Sequence, residues 1–283
     1  MPGRLVVCAT PIGNLADVTL RVLDALRDAD TVLAEDTRVT RKLLARYSIE
    51  ATLERYDENT AEQRTPQIVA RMHGGETFAL VSDAGTPGLS DPGTRLVHAA
   101  LEAGLVVDVL PGASAVLGAL VASGLPTHAF FFGGFLPRKA GERRKRLLDV
   151  GQLGATLVFF ESPKRTAATL AAIAETLPDR SAAVVRELTK LHEEVARGST
   201  GELATAFASR ADLKGEVVLV IGPAEHSAAG VDERGEATVR ERIEGLRAQG
   251  LTTKDAVRTV SEEMGLPRNT VYSIAHGASG RSA

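Results

Sequence analysis

Four short loops carry most of the residues in this sequence that could hold a polar small molecule. Each loop follows an apolar run, and the loops span residues 10–14, 35–38, 82–93 and 111–115. They supply backbone amides, small side chains and a few carboxylates rather than a nucleophile beside a base. Asp36 and Asp83 could offset a cation or accept hydrogen bonds from hydroxyls, although either could equally cap a helix. The residue types therefore indicate a site that binds its ligand largely through the main chain.

The longest of these loops, residues 82–93, contains three glycines and two prolines and cannot continue the apolar run before it. It spans about ten residues, whereas an ordinary strand-to-helix connection has two to six. The run 78–81 predicts a buried strand, and apolar positions at helical spacing from Leu96 predict a helix that Ser90 or Asp91 could cap. This order favours a ligand site, because open α/β sheets bind small molecules at the carboxyl ends of their strands.

The rest of the first half repeats the alternation of strand and helix. Apolar runs predict strands at residues 5–9, 31–34, 52–53, 78–81 and 106–110. Helical spacing predicts helices from about residue 17, at 39–47, at 60–73 and from the turn at 111–114 to about 123. Repeated units of this kind call for a parallel sheet that is covered on both faces. The four loops should then meet in one crevice.

The second half has a different pattern. It predicts strands at 130–133, 156–160, 182–187, 193–197 and 217–221, with helices at 163–176 and 202–210. Two of the strands, 182–187 and 193–197, are close enough in sequence to form an antiparallel pair. The predicted fold class is therefore α/β, with two lobes. A parallel-sheet lobe covers residues 1–113, a mixed-sheet lobe covers 114–223, and a linker with a helical extension covers 224–283.

The helical extension carries no net charge. Residues 223–234 are rich in Ala, Gly and charged residues and predict a linker, and 235–276 predicts helices in a helix-turn-helix-like pattern. Between His226 and Ala283 there are eight basic and eight acidic side chains. Because phosphate electrostatics dominate duplex binding, packing or recognition of RNA shape is at least as well supported as DNA reading.

The composition is that of a globular protein with a net charge of −3, with 44% hydrophobic and 24% charged residues. Aromatic residues make up only 4%, without Trp, which disfavours a base-stacking platform for single strands. The single Cys8 excludes an intramolecular disulfide and indicates a buried thiol. Residues 109–137 lack charge but are interrupted by Gly and Pro, so they predict a buried helix and strand rather than a membrane span. Without a signal-peptide pattern, we expect a cytoplasmic protein.

Several common functional motifs are absent from the sequence. It contains no G-x-G-x-x-G pattern, none of its seven lysines follows a Gly as in a P-loop, and its six histidines are scattered. We therefore expect no dinucleotide fingerprint and no metal site.

A strongly basic segment follows the predicted strand at 130–133. Residues 137–146 contain six basic side chains and one acidic side chain, Glu142, for a net charge of +5. An ordinary reading is a solvated charged loop. Its position at the junction of the lobes predicts a mobile basic loop over the crevice, which suits a substrate with a phosphate backbone.

Six short motifs resemble those of the tetrapyrrole-methylase-like (class III) methyltransferases, and within them the ribosomal RNA small-subunit methyltransferase I branch. The resemblance extends to about Gly222, and the helical tail is similar to that branch's C-terminal extension. The motifs are TPIGNL at 10–15, AEDTR at 34–38, SDAGTPGLSDPG at 82–93, GFLP at 134–137, ESPKR at 161–165 and RELTK at 186–190.

The resemblance implies S-adenosylmethionine in the cleft between two α/β lobes, a homodimer, and 2′-O-methylation of a decoding-centre cytidine in 16S rRNA. The cofactor contacts that it implies, together with the loop residues Ile12, Gly13 and Asp83, make up the expected cofactor site. That site comprises Pro11, Ile12, Gly13, Asp83, Gly85, Thr86, Leu89, Ser114, Ala115, Phe160 and Gly198.

Two further groups of residues would serve the RNA. Asp36, Glu187 and Lys190 are candidates for a base that takes the proton of the hydroxyl, and the sequence does not choose among them. The expected RNA contacts are the basic residues Arg38, Arg138, Lys139, Arg143, Arg144, Lys145, Arg146, Lys164 and Arg165.

Two alternative functions remain open at this stage. One is methylation of a small tetrapyrrole-like metabolite on the same fold, against which the basic segment and the helical tail count. The other is a ligand-sensing regulator whose tail reads DNA, against which the neutral tail counts.

Overall fold

The structure of the chain is a computed structural model that describes residues 2–89, 91–210, 212–224, 233–264, 266 and 268–275. The described residues form two compact units, one ending at Ala224 and the other made of the helices that follow. The expected linker falls mostly on residues 225–232, which lie outside the described ranges, as does Ser90. Within those ranges, no helix has the length and apolar character needed to cross a membrane.

Five strands of the first unit form a parallel sheet in the order β3-β2-β4-β1-β5. The strands are β1 (Arg4–Cys8), β2 (Thr31–Ala34), β3 (Leu53–Arg55), β4 (Phe78–Val81) and β5 (Val106–Leu110). The connecting helices are α1 (Leu20–Asp28), α2 (Thr37–Arg46), α3 (Ala61–His73) and α4 (Gly93–Glu102). The predicted parallel sheet is confirmed, and we call it with α1–α4 the first lobe.

Both faces of this sheet are covered, as its apolar strands require. Side chains alternate between the two faces along a strand. In β1, Val6 and Cys8 pack in one layer with residues of α1 and α2. Leu5 and Val7 pack in the opposite layer with residues of α3 and α4. The loops at the carboxyl ends of the strands are thereby left at one edge.

The second sheet is mixed, as the sequence predicts, in the order β6-β7-β10-β8-β9. Its strands are β6 (Phe130–Phe135), β7 (Thr156–Glu161), β8 (Ser181–Arg186), β9 (Glu194–Ser199) and β10 (Val217–Ile221). β6 and β7 are parallel, and β8 and β9 form the expected antiparallel pair. The helices α6 (Ala140–Gly151), α7 (Pro163–Thr176) and α8 (Thr200–Ala208) cover one face, and α5 (Ala115–Ser123) covers the other. We call this layer the second lobe.

The basic segment 137–146 is mostly helix rather than the expected mobile loop, because α6 begins at Ala140. Its Arg and Lys residues favour helix, and Leu147 and Val150 on the same helix are buried in the second-lobe core. Arg143 points inward on that buried side, at 9% exposure. The buried positions Arg143, Leu147 and Val150 recur at helical spacing, but the run of basic residues hides this pattern in the sequence.

The second unit contains three helices, α9 (Glu233–Ala248), α10 (Thr253–Met264) and α11 (Arg268–Ala275). They pack around an apolar cluster that includes Val239, Ile243, Val257, Val260 and Ile274. The helices expected over 235–276 are therefore present, and α10 and α11 correspond to the helix-turn-helix-like pattern.

Candidate functional site

A crevice of about 490 Å³ lies between the two lobes, at the carboxyl edge of the first sheet. It is bordered by the loops after β1, β2 and β4, by the start of α5, and by the ends of β6, β7 and β10. The parallel pairing of the first sheet brings the strand-end loops together, as expected. Eight of the expected cofactor residues line the crevice: Ile12, Asp83, Gly85, Thr86, Leu89, Ser114, Ala115 and Phe160.

The loops after β1 and β4 are joined to each other by backbone hydrogen bonds. The N–H of Thr10 donates to the carbonyl of Gly85 at 2.8 Å, and the N–H of Gly85 donates back at 3.0 Å. The hydroxyl of Thr10 also donates to the carbonyl of Ser82 at 3.0 Å. Gly85 has a φ of +80°, a conformation that favours glycine. These bonds hold the floor of the crevice in one shape.

Asp91 closes the long loop on itself. Its carboxylate accepts hydrogen bonds from the N–H of Gly88 at 2.8 Å and from the N–H of Gly93 at 2.7 Å. It thus satisfies a donor in the first turn of α4, close to the capping role that the sequence suggests. The loop 82–93 is therefore held by its own carboxylate.

Three of the expected cofactor residues do not line the crevice. Pro11 is buried, and Gly13 packs against residues 188–190. Gly198 pairs with Ala182 at one end of β9. The crevice lies at the other end, where Glu194 pairs with Arg186, and Arg186 pairs with the lining residue Val217. Because β9 is an antiparallel edge strand, its carboxyl end points away from the site. We therefore leave Gly198 out of the candidate site.

Several lining residues are not among the expected site residues, among them Glu35, Phe135, Glu161 and the segment 215–218. Glu35 directly follows β2 and belongs to the loop 35–38, which the rule that ligands bind at strand ends does place at the crevice. The start of β10 could not be found this way, because β10 runs antiparallel to β7 and presents its amino end to the crevice.

An inter-lobe loop, residues 187–193, connects the second lobe to the first. The hydroxyl of Thr189 accepts a hydrogen bond from the N–H of Asn14 at 3.2 Å. Glu187 and Thr189 have positive φ values of 51° and 66°, a strained backbone for residues with a side chain. The loop therefore holds the two sides of the crevice together at some conformational cost.

None of the three candidate bases is well suited to accept a proton. The hydrogen bonds from Arg38 hold the pKa of Asp36 well below its usual range, and Asp36 also caps α2. Burial raises the pKa of Glu187, but the hydrogen bonds from Lys190 and the N–H of Glu216 outweigh this and lower it. Burial lowers the pKa of Lys190, but its bonds to Glu187 and Glu216 raise it overall, so the amine stays protonated.

Two carboxylates of the crevice behave in the opposite way. Burial raises the pKa of Glu35, and the charges of Asp83, Asp91 and Asp57 raise it further, against a hydrogen bond from the N–H of Asp83. Partial burial also raises the pKa of Asp83, which the N–H of Asp36 partly offsets. For both groups, burial and neighbouring carboxylates outweigh the hydrogen bonds and, for Asp83, the charge of Arg38, so the pKa is raised.

We expect Glu35→Gln to raise the midpoint of thermal unfolding of the ligand-free protein at neutral pH. The pKa of Glu35 is higher in the folded chain than in the unfolded chain, so ionisation costs stability above the folded pKa and not below the unfolded pKa. The difference between variant and wild type should be near zero at acidic pH and grow as the pH rises through the carboxylate range. Calorimetry over a pH series measures this, and a lower midpoint for the variant at neutral pH would contradict it.

The expected RNA-binding residues fall into three groups. Arg143 and Arg165 point into the protein: Arg165 donates to the carbonyl of Leu136 at 2.7 Å and pairs with Glu161 at 3.2 Å. Arg38 is exposed but bound to Asp36 at 2.6 Å. The remaining expected residues are exposed: Arg138, Lys139, Arg144, Lys145, Arg146 and Lys164. In the described ranges, no group of His, Cys, Asp and Glu could hold a metal ion.

Comparison with known proteins gives three relevant similarities. Residues 4–204 match a family model described as tetrapyrrole (corrin/porphyrin) methylases. The chain is 51% identical over 225 residues to a ribosomal RNA small subunit methyltransferase I of Mesorhizobium japonicum. This match covers 79% of this chain and 76% of that protein. It is 41% identical over 275 residues to the protein of the same name in Halalkalibacterium halodurans, which covers 97% of this chain and 95% of that protein.

The fold is also similar to that of a solved methyltransferase. This is a uroporphyrin-III C-methyltransferase from Thermus thermophilus complexed with S-adenosylhomocysteine, with a TM-score of 0.55 and 19% identity. The similarity covers 78% of this chain and 97% of that one.

Proposed function

This chain belongs to the tetrapyrrole (corrin/porphyrin) methylase family, and from this we propose that it transfers a methyl group from S-adenosylmethionine to the RNA of the small ribosomal subunit. We further propose that the acceptor is the 2′-hydroxyl of a decoding-centre cytidine in 16S rRNA. The choice of this acceptor rests on the resemblance of the six sequence motifs to those of the ribosomal RNA small-subunit methyltransferase I branch.

The observation that carries the RNA substrate is the degree of identity. The relatives from Mesorhizobium japonicum and Halalkalibacterium halodurans, both named as ribosomal RNA methyltransferases, are 51% and 41% identical to this chain. The uroporphyrin-III methyltransferase shares the fold at only 19% identity. The chain is thus much more similar to the relatives whose names give an RNA substrate, which supports RNA over a tetrapyrrole.

The chemistry of the crevice fits S-adenosylmethionine. This molecule presents an adenine and a ribose, which hydrogen-bond readily to turn amides and carboxylates, and it carries positive charge on its sulfur and its amine. The crevice offers loop amides around Gly85 and Ser114, the aromatic ring of Phe160, and the carboxylates of Glu35 and Asp83. The complex of the Thermus thermophilus enzyme with S-adenosylhomocysteine supports a ligand of this class in this fold.

The chain would contribute mainly alignment. Bound S-adenosylmethionine would supply an activated methyl group: the 2′-oxygen would bond to the methyl carbon as the carbon–sulfur bond breaks, and the hydroxyl proton would pass to solvent. The loops after β1 and β4, tied to each other, and the capped start of α5 would hold the donor. The second lobe would present the ribose to it, because such transfers depend chiefly on positioning.

Exposed basic side chains at the rim of the crevice would bind the RNA backbone. Lys164 follows the lining residues Ser162 and Pro163, and Arg138 follows the lining residue Phe135 by three positions. Arg165 donates to the carbonyls before Arg138, so the two rim segments lie against each other. Among the described residues, neither Arg138 nor Lys164 has an ion pair, so both charges are available to phosphates.

We expect Arg138→Ala with Lys164→Ala to weaken binding to small-subunit RNA while leaving the affinity for S-adenosylmethionine unchanged. Each lost phosphate contact should also reduce the slope of log affinity against log salt by about 1. Filter binding over a salt series measures the RNA affinity and its salt slope, and titration with S-adenosylmethionine measures the cofactor affinity. The control Arg27→Ala removes an exposed charge on α1 and should change neither RNA binding nor cofactor binding. Equal loss of RNA and cofactor binding would show that the rim residues are structural.

An apolar surface on α5 supports the expected homodimer. Leu117 and Val121 lie one turn apart and are 53% and 73% exposed, and Leu191 on the inter-lobe loop is 92% exposed. Leu188 packs on Gly118, so the loop and the helix are neighbours. Exposed apolar residues that cluster in this way are typical of protein interfaces.

We expect the wild-type protein to be a dimer in solution and Leu117→Glu with Val121→Glu to be a monomer, since two carboxylates would have to be buried in the interface. Sedimentation velocity measures the oligomeric state. Leu148→Glu, at an exposed position of α6, should leave the dimer intact. A monomeric wild-type protein, or a dimeric double variant, would refute this surface as the interface.

Transfer of labelled methyl groups tests the proposed function. We expect label from S-adenosylmethionine to enter the RNA of small ribosomal subunits, at a ribose, and not to enter tetrapyrrole precursors. Nucleoside analysis of the labelled RNA distinguishes a ribose methyl from a base methyl. Label in a tetrapyrrole and none in RNA would replace the proposal by the small-metabolite alternative.

A further inference from the structure

The charged residues that line the crevice, among those that the structure describes, are all acidic. They are Glu35, Asp83, Asp91, Glu161 and Glu216. The wall formed by the first lobe and the wall formed by the second lobe differ in whether cations of the protein neutralise these carboxylates.

The carboxylates of the second-lobe wall are compensated by cations. Glu161 pairs with Arg165 at 3.2 Å and accepts a hydrogen bond from the hydroxyl of Thr169 at 2.6 Å. Glu216 pairs with Lys190 at 3.1 Å. A ligand therefore meets little uncompensated charge on this side.

The carboxylates of the first-lobe wall are not compensated. Within the described ranges, none of Glu35, Asp83 and Asp91 forms an ion pair; their hydrogen bonds come from backbone N–H groups. The guanidinium of Arg38 lowers the pKa of Asp83 in part, but it is itself bound to Asp36. Glu35 and Asp91 are half-buried and Asp83 is exposed. Glu35 lies close enough to the other two that both of their charges raise its pKa.

We infer that this wall, chiefly through Glu35, favours the positively charged methyl donor over its demethylated product. The inference rests on the proposed function, since it concerns the same crevice and the same ligand. S-adenosylmethionine carries a positive charge on its sulfur, and S-adenosylhomocysteine has lost it with the methyl group. A wall with excess negative charge attracts the first more than the second, and so promotes exchange of product for donor.

A purely structural role for these carboxylates makes a different prediction. Asp91 shows such a role, because it holds the loop 82–93 through backbone hydrogen bonds. Loss of a structural carboxylate would weaken both ligands alike, since both share every group except the methyl and its charge. Selection by charge appears only in the ratio of the two affinities.

The test compares dissociation constants by isothermal titration calorimetry with S-adenosylmethionine and S-adenosylhomocysteine as probes. Glu35→Gln keeps the shape of the side chain and removes its charge. We expect the variant to bind S-adenosylmethionine about tenfold more weakly and S-adenosylhomocysteine within about twofold of wild type. Glu35→Asp, which keeps the charge, should retain most of the wild-type preference.

A control variant and the wild type separate the possible failures. Glu102→Gln removes an exposed carboxylate from α4 in the same lobe, outside the crevice, and should leave both constants unchanged. Equal weakening of both ligands by Glu35→Gln, or no weakening of either, would overturn the inference. A wild-type protein that binds neither ligand would instead overturn the proposed function.

Discussion

Replacing Gly13 by Ala should weaken the binding of S-adenosylmethionine by about tenfold or more. A Cβ at this position would lie 2.4 Å from Cγ of Lys190, 2.8 Å from the hydroxyl of Thr189 and 3.0 Å from the carbonyl of Leu188. The inter-lobe loop would have to move away from the first lobe. Shifts of about 1 Å in groups that position a ligand can cost about 100-fold in rate, so tenfold in affinity is a conservative expectation.

Gly141→Ala provides a matched control for this prediction. Gly141 lies in α6, and a Cβ there would meet no atom within 4 Å. The control should bind the ligand like wild type and gain slightly in stability, because Ala favours helix over Gly. Adding Lys190→Ala to Gly13→Ala removes the closest clashing atom and should restore part of the affinity. Wild-type binding by Gly13→Ala alone would show that the inter-lobe loop does not shape the crevice.

Replacing Glu161 by Gln should lower the free energy of unfolding by about 3 kcal/mol. The carboxylate side chain is fully buried at the end of β7, and it holds Arg165 and the hydroxyl of Thr169. Removal of one partner leaves the guanidinium without its counter-charge in a protein interior, which typically costs 3–5 kcal/mol. Since Arg165 is 25% exposed, we expect the lower end of that range.

An exposed ion pair of the same unit serves as the control. Asp108→Asn breaks the pair with Arg4, whose side chains are 43% and 54% exposed, and should cost less than about 1 kcal/mol. Denaturant unfolding of both variants gives the comparison, and Glu161→Gln with Arg165→Met gives the coupling between the partners. If Glu161→Gln and Asp108→Asn lower the free energy of unfolding equally, the Glu161–Arg165 pair contributes no more than an exposed ion pair, and the prediction is wrong.

Most of the fold could be predicted because its signals are local. The strands at 31–34, 78–81, 106–110 and 217–221 and the helix at 163–176 have the predicted bounds, since each is a short apolar run or a helical period between clear turn residues. The basic segment 137–146 predicts a loop but is mostly helix, because its charged residues obscure the buried face of α6. The end of β6 was predicted two residues early because Gly133 and Gly134 suggest a turn, yet they form a bulge within the strand.

The candidate site could be predicted mainly on its first-lobe side; on the second lobe, the resemblance of the motifs gave Phe160. Ile12, Asp83, Gly85 and Ser114 lie in loops that follow parallel strands, and such loops meet at one edge whatever the details of packing. The expectation of Gly198 comes only from the resemblance. The start of β10 follows from no such rule, because the sequence does not reveal that β10 pairs antiparallel with β7 and presents its amino end to the crevice.

The sequence by itself determined which groups the strand-end loops carry, because turn residues, apolar runs and motif order are properties of neighbouring positions. Only the tertiary structure decided which of those groups remain without a counter-charge. Glu161 meets Arg165 and Glu216 meets Lys190, while Glu35 faces other carboxylates. The charge of a crevice is set by contacts among distant segments, and these exist only once the two sheets have packed together.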